Sequence, residues 1–309
     1  MDALSTVLDD IQISKAEYVY LSTRNDWAFQ LQQQSALIVY IVLSGEMHIE
    51  LDQTAVQLTT GDIFLLTTGQ SHRCYPAPNK QFIEVTDITS YFDLYSQQRV
   101  SIGSGQMSPN LIMAIRCQID SLMAQPLLNA LPNFIHLHNQ AGPHTPQWLE
   151  IGLSFLALET QSIRLGRAKI IDHLIGILFI ECIRDYMQQV QDTQNWLNVL
   201  SHPQLSNALS AIHNHPERVW TVESLAECCC MSRSKFASLF HQCVGQSPLA
   251  YLQQHRLNLA SHLLRHSQSP IKQIAHDVGY RSDTAFSQSF KKQFDTSPTL
   301  YRKQHRLDQ

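Results

Sequence analysis

The chain has 309 residues, 44% of them hydrophobic, with 22 Lys and Arg against 26 Asp and Glu for a formal net charge of −4. That length allows two domains, each with its own core. No charged n-region precedes an apolar h-region, which argues against a secretory signal. The longest apolar stretch, 170–183, is interrupted by Asp172, His173 and Glu181, too short and too polar to cross a bilayer. A cytoplasmic protein with no membrane partner is expected.

The charge is unevenly divided. Residues 201–309 hold 12 Lys and Arg against 7 Asp and Glu, whereas 1–200 hold 10 against 19. A basic C-terminal third on an acidic body suits a phosphate-binding module attached to a domain that does not bind nucleic acid. The seven cysteines are odd in number and none is in C-x-x-C spacing, so reduced thiols are expected. Consecutive Cys228, Cys229 and Cys230 would point in different directions on a helix, which favours packing over a metal or redox sensor.

From about 13 to 120 the hydrophobic period is two. Residues 37–43 form a continuous apolar run, Ser44-Gly45 breaks it, and Met47, Ile49 and Leu51 then alternate with His48 and Glu50. Val56 and Leu58 alternate again, Gly61-Asp62 turns, and 63–66 is another strand before Gly69. Further strands are expected at 81–86 and 112–120. Short strands at this spacing with glycine turns predict a small sandwich or barrel. Ile135-His136-Leu137-His138 would place His136 and His138 on one strand face, with His144 in a loop. That spacing suits a metal or an anionic effector, or a domain seam.

Helical periodicity returns at 147–160 and 167–190. The second of these is apolar on more than half its circumference, which suggests a homodimer interface or extensive packing within the chain. Residues 192–202 read as a linker, and 203–213 as the helix leading into the next domain. The predicted domains are 1–200 and 201–309.

The C-terminal part holds one pattern twice. Ser232, Phe236, Phe240, Ser247, Pro248 and Tyr251 recur as Ser282, Phe286, Phe290, Ser297, Pro298 and Tyr301. A fixed period signals a duplicated supersecondary unit. In the first copy Thr221 caps a helix with Glu223 in its first turn, and Ser232 caps a second one backed by Phe236, Leu239 and Phe240. Ser247-Pro248 starts a third helix, with proline where its missing N–H costs nothing. Ser269-Pro270 opens the second copy, Gly279 turns it, Ser282 caps its second helix, and Ser297-Pro298 begins the last. A small residue where two helices meet (Ala226, Ala275), then a tight turn, then a capped helix is the grammar of a helix-turn-helix. The units are placed at 221–244 and 270–294. Removing the buried stripe leaves Ser234, Ala237, Ser238 and His241, flanked by Arg233, Lys235 and Gln242, on the first recognition helix. On the second it leaves Thr284, Ser287, Gln288 and Lys291, flanked by Arg281, Asp283 and Lys292. Ser, Thr and Gln can bond base edges, while Lys and Arg neutralise phosphate. The second set is the richer, so it should carry much of the direct readout.

These residues make the resemblance specific. Ser224-Leu225-Ala226, Met231-Ser232-Arg233-Ser234, Gly245-Gln246-Ser247-Pro248, Tyr251-Leu252, Arg256, Val278-Gly279-Tyr280, Phe286-Ser287, Phe290-Lys291, Ser297-Pro298 and Tyr301-Arg302 resemble the AraC/XylS family of transcription regulators. The resemblance implies two helix-turn-helix units joined by one rigid helix, reading adjacent major-groove segments of double-stranded DNA. It puts Ser234, Ala237, Ser238, Asp283, Thr284, Ser287 and Gln288 in base-facing slots. It also implies a small-molecule or stress effector and a homodimer, with RNA polymerase a further possible partner. Cys230 and Asp295 stand where glycines are usual, and Ser238 and Gln288 where an arginine is common, which weakens guanine preference at those bases.

The Gly45, Gly61-Asp62-Ile63, Gly69 and His72 run resembles a cupin barrel, a usual sensory domain in that family. The fold class expected is therefore α+β: a cupin-like barrel with following helices, then an all-α double helix-turn-helix domain. Metal-dependent cupins carry His-x-His and Glu soon after the first glycine. Here Glu46, Met47 and His48 follow Gly45, and only His72 falls in a ligand-like place, too few for a catalytic ion. No cofactor, metal or enzymatic activity is expected, and His72, His136, His138 and His144 are candidates for effector binding. Two alternatives are a redox-switched regulator using Cys74, Cys117 or Cys182 and a cupin enzyme fused to a DNA-binding module.

Overall fold

The structure, a computed structural model, describes residues 2–11, 16–52, 54–77, 84–94, 98–104, 110–138, 147–161, 164–189 and 196–305, with 147–150, 157, 160 and 161 described by backbone alone. In chain order the elements begin with α1 (Ala3–Ile11), β1 (Ala16–Asn25), β2 (Phe29–Leu31), β3 (Leu37–Ser44), β4 (Glu46–Leu51), β5 (Thr54–Thr59), β6 (Ile63–Leu66), β7 (His72–Tyr75) and β8 (Thr86–Asp87). Next come α2 (Tyr91–Leu94), β9 (Arg99–Ser104), β10 (Asn110–Cys117), α3 (Ser121–Ala130), β11 (Phe134–Leu137), α4 (Gln147–Gln161) and α5 (Arg167–Gln189). The remainder is helical: α6 (Trp196–Ser201), α7 (Leu205–Asn214), α8 (Val222–Cys228), α9 (Arg233–Val244), α10 (Pro248–His266), α11 (Ile271–Asp277), α12 (Asp283–Phe294) and α13 (Pro298–His305).

The chain separates into two compact units. One comprises Ile13–Ile119 and Leu131–Gln189; the other comprises Met1–Gln12, Asp120–Ala130 and Val190–Gln309. The expected 1–200 domain is thus interrupted twice, since α1 and α3 belong with the C-terminal helices.

The first unit holds a six-stranded sheet, β11-β6-β3-β10-β1-β9, and a five-stranded sheet, β5-β4-β7-β2-β8. Alternate residues of both sheets (Val19 and Leu21, Ile38, Tyr40 and Val42, Met47, Ile49 and Leu51, Phe64 and Leu66) form one buried core. The opposite set on β1, β3, β6 and β10 (Tyr18, Leu37, Ile41, Leu65, Ile115) is buried as well. Strands covered on both faces read as unbroken apolar runs, which explains the continuous stretch at 37–43. Helix α5 lies on that outer face: the Arg167 guanidinium is 5.6 Å from the Tyr20 ring centroid, and Ile171, Ile175, Leu178, Phe179, Cys182 and Ile183 are buried. Gly45, Gly61 and Gly69 all have positive φ, as their turns require. Of the strand expected at 81–86, residues 81–83 lie outside the described residues and β8 begins at Thr86.

The second unit is all α. Trp196, Leu197, Val199 and Leu200 are buried in α6, so the second half of the expected 192–202 linker is a packed helix. Residues 192–195 lie outside the described residues. Two segments distant in sequence complete this unit. From α1, Asp10 Oδ2 meets His213 Nδ1 of α7 at 2.5 Å. Just before α3, Asp120 Oδ2 accepts from Arg265 Nη2 at 2.5 Å and lies 2.8 Å from His262 Nδ1, while Asn258 Nδ2 donates to Leu122 O at 2.9 Å. Burial would raise the Asp120 carboxyl, but the His262 hydrogen bond and the Arg265 charge hold it down at about 2.

Candidate nucleic-acid interface

The two helix-turn-helix units are built by the same local rules. Thr221 and Ser224 form a reciprocal capping box at α8. Ser232 Oγ accepts from Lys235 N, and Ser282 Oγ from Ala285 N, at 3.4 and 3.3 Å. Ser247 and Ser297 do the same for Ala250 and Leu300 at the proline-started helices α10 and α13. Each such cap satisfies one of the orphan N–H groups of a helix start. The second copy departs at its first helix: Pro270 is the cap residue of α11, no side chain caps it, and Arg302 Nη2 instead donates to Ser269 O at 2.7 Å.

Packing repeats too. Phe236–Phe240 and Phe286–Phe290 ring centroids are both 5.6 Å apart. Phe240 and Phe290 each meet a tyrosine edge-on, Tyr251 at 5.8 Å and Tyr301 at 5.3 Å. Burial of Phe236, Phe240, Phe286 and Phe290 is complete. Residues 232–242 and 282–292 share the same burial sequence position by position. Arg233, Ser234, Lys235, Ser238 and His241 are exposed and Ala237 is half-buried. Asp283, Thr284, Gln288, Lys291 and Lys292 are exposed, as is Arg281 just before α12, and Ser287 is half-buried. The candidate residues therefore lie on one polar face of each helix. Arg233 is held by Glu223 at 2.8 Å, with both side chains more than half exposed. Such a surface pair is worth about 0–1 kcal/mol and leaves the guanidinium available to phosphate at little cost.

Two turns in each unit require left-handed backbone, and each is glycine in one copy only. Cys230 (φ 50) corresponds to Gly279 (φ 88), and Gly245 (φ 80) to Asp295 (φ 56). The turn hydrogen bonds agree, Met231 N to Ala226 O and Tyr280 N to Ala275 O. The surroundings differ. A Cβ on Gly245 would meet nothing within 4 Å, whereas one on Gly279 would lie 2.7 Å from Arg256 Nη2 and 2.8 Å from Pro216 O. Arg256, on α10, donates to Pro216 O at 2.6 Å and to Arg218 O at 2.7 Å. Its guanidinium thus ties the entry of the first unit to the turn of the second. Of the two glycines in these turns only Gly279 is closely approached, and the exposed Cys230 and Asp295 bear φ strain at the corresponding positions.

In the β unit, His72 is buried, with Nε2 2.8 Å from Tyr40 OH and Nδ1 2.8 Å from Gln70 O. Burial pushes its pKa down, against the Gln70 hydrogen bond. The ring is an internal strut with both nitrogens engaged. His72 also lines a polar groove of about 410 Å³, together with Gln30, Gln32, Glu50, Asp52, Ser71 and Arg73. His136 and His138 converge on Asp62, a residue that reads in the sequence only as part of a turn. His144 lies outside the described residues. The thiols of Cys74, Cys117 and Cys182 are buried, and burial pushes the last two up to about 12 and Cys74 well above its ordinary value. Thiols held protonated this far from pH 7 are poor nucleophiles toward oxidants.

Residues 2–188 match the cupin family and residues 225–304 the helix-turn-helix domain family. The HTH-type transcriptional regulator AlkR of Acinetobacter baylyi is 52% identical over 98% of this chain and 100% of its own length. The chain belongs to the AraC/XylS family of transcriptional regulators. The HTH-type transcriptional regulator MtrA of Neisseria gonorrhoeae is similar at 25% identity, over 98% of this regulator and 99% of MtrA. Among solved structures, the DNA-binding domain of AdpA in complex with a target DNA is 31% identical, covering 33% of this chain and 91% of that one with a TM-score of 0.32. The regulator is a DNA-binding protein of α+β class, with a cupin domain followed by a helix-turn-helix domain. Among its described residues no helix is long and apolar enough to cross a membrane.

Proposed function

We propose that the regulator reads promoter DNA with the exposed flanks of α9 and α12 and that its cupin unit receives a small-molecule or stress signal. The reading rests on one observation: the two recognition helices, fifty residues apart, have the same capping, ring packing and burial sequence, and turn the same polar positions to solvent. Ser234, Ala237 and Ser238, then Asp283, Thr284, Ser287 and Gln288, meet base edges. Arg233, Lys235, His241, Arg281, Lys291 and Lys292 serve the backbone or the groove rim. Phosphate neutralisation by this modest set makes affinity salt-dependent and favours two copies of the domain.

The second copy is supplied by dimerisation through the helices of the cupin unit. Much of the apolar surface of α5 is spent on packing within the unit, against α4 and the sheet, and the large apolar side chains left exposed among the described residues of these helices are Ile151, Phe155 and Leu158 on α4 with Ile170 and Ile177 on α5. The spacing of the α4 residues makes one stripe, which shifts the expected interface from α5 towards α4. The polar groove and the His136–His138 region are the effector candidates, RNA polymerase is a further partner, and the cytoplasm is the site of action. Footprinting of the full chain, with and without added effectors, tests this function. Equal protection of random and promoter sequences would end it.

A further inference from the structure

His136 belongs to β11, His138 follows one step past its end, and both rings turn onto one carboxylate. His136 Nε2 lies 3.3 Å and His138 Nδ1 3.9 Å from Asp62 Oδ2. The imidazole centroids are 3.7 Å apart, and all three donor atoms fall within 4.8 Å of one another. Two donors at ordinary zinc bond lengths in a tetrahedron stand about 3.3–3.4 Å apart. The His136 separation already fits, and that of His138 needs to close by about half an ångström.

Asp62 is oriented beforehand, because Thr59 N and Oγ1 donate to its Oδ2 at 2.8 and 3.2 Å. Side-chain exposure is graded: 3% for Asp62, 10% for His136 and 56% for His138. That gradient gives an ion a path in and leaves one coordination position facing water. Two imidazoles and a carboxylate suit zinc, cobalt or nickel rather than calcium or magnesium.

Two other histidine clusters among the described residues lack this character. At Asp120, His262 and His266 the carboxylate already carries the Arg265 guanidinium at 2.5 Å, which repels a cation. At Asp10, His213 and His255 the Asp10 and His213 donors stand 2.5 Å apart, closer than two tetrahedral ligands of one ion. The positions at which metal-dependent cupins bear ligands hold Glu46, Met47 and His48 here, so the Asp62 site is a separate one.

We propose that Asp62, His136 and His138 bind one divalent transition-metal ion of the zinc class, pinning β11 to the turn between β5 and β6 and leaving a position open to water or an anion. The inference does not rest on the DNA-binding reading. It is tested on the reduced full chain by Zn²⁺ competition against a chromophoric chelator. One equivalent should bind, and His138→Ala, at an exposed position that should leave folding intact, should weaken it by at least the roughly 10–100-fold that loss of an outer-shell partner alone costs. His136→Ala combined with His138→Ala should abolish it. His262→Ala with His266→Ala, and Cys228→Ser with Cys230→Ser, should leave it unchanged. No binding by the wild-type chain, undiminished binding by His138→Ala, or loss in the cysteine variant would each overturn the assignment.

Discussion

Replacing Gly279 by alanine isolates the role of the Arg256 strap, because the regulator contains its own control. Gly245→Ala places a Cβ at φ 80 with nothing within 4 Å. It should cost only the left-handed strain, about 1–2 kcal/mol. Gly279→Ala has the same strain at φ 88, and its Cβ also falls 2.8 Å from both Arg256 Cζ and Pro216 O. The carbonyl is backbone and cannot yield easily, so the guanidinium must leave at least one of its bonds to Pro216 O and Arg218 O. A charge-assisted bond of this kind is worth about 1.5–3 kcal/mol, which puts the total at about 2.5–5 kcal/mol. Urea unfolding followed by hydrogen exchange in α10 and α12 would measure both variants. Arg256→Ala should remove the part of the difference that comes from the displaced guanidinium, leaving only what the close approach to the Pro216 carbonyl adds. Equal destabilisation by Gly245→Ala and Gly279→Ala would refute the reasoning.

Other expectations concern recognition, pH and burial. Gln288→Ala should relax base preference at one position by about 1–3 kcal/mol if its contact is bidentate, whereas Lys292→Ala should weaken all sequences alike and flatten the salt slope; mobility-shift titrations at several salt concentrations separate the two. Burial lowers His213 to about 4 and His255 to about 3 from an ordinary 6.5. The unfolded chain then binds more protons than the folded one below pH 6.5, so stability should fall as pH drops through that window. His213→Gln should shallow the fall in melting temperature, and an unchanged pH slope in that variant would count against it. In the β unit, Arg116 donates to Glu17 Oε2 from Nη2 at 2.5 Å and also bonds Asp93, with Glu17 buried. Arg116→Met breaks the buried pair with Glu17 and should cost about 3–5 kcal/mol, read as a lower denaturant midpoint. Peroxide should not change the promoter affinity of the wild-type chain more than that of the Cys74, Cys117 and Cys182 serine variants.

Local chemistry made the C-terminal repeat readable. Serine caps, proline starts and phenylalanines at i and i+4 are set within single turns of helix, and the structure returns them with matching geometry in both copies. The cupin strands were readable where alternation or glycine turns marked them, as at Met47, Ile49 and Leu51. Elements defined by remote partners were not. Strand β1 is fixed by pairing Ala16 with Cys117, and α1 by an Asp10–His213 contact spanning 203 positions. No local pattern encodes such meetings. Asp62 escaped notice for a related reason: beside Gly61 it satisfies every requirement of a turn, and its second role depends on a strand more than seventy residues away.

The interleaving of the two units constrains how the protein can be cut. A plasmid encoding only 201–309 would retain both recognition helices yet lose the carboxylates that meet His213, His262 and Arg265, together with α6, whose first turns precede the cut. Grafting this reader onto a foreign sensor would demand three stretches of polypeptide instead of one, and the barrel, for its part, must lend its chain to the reader once, at α3, before its own last helices are made.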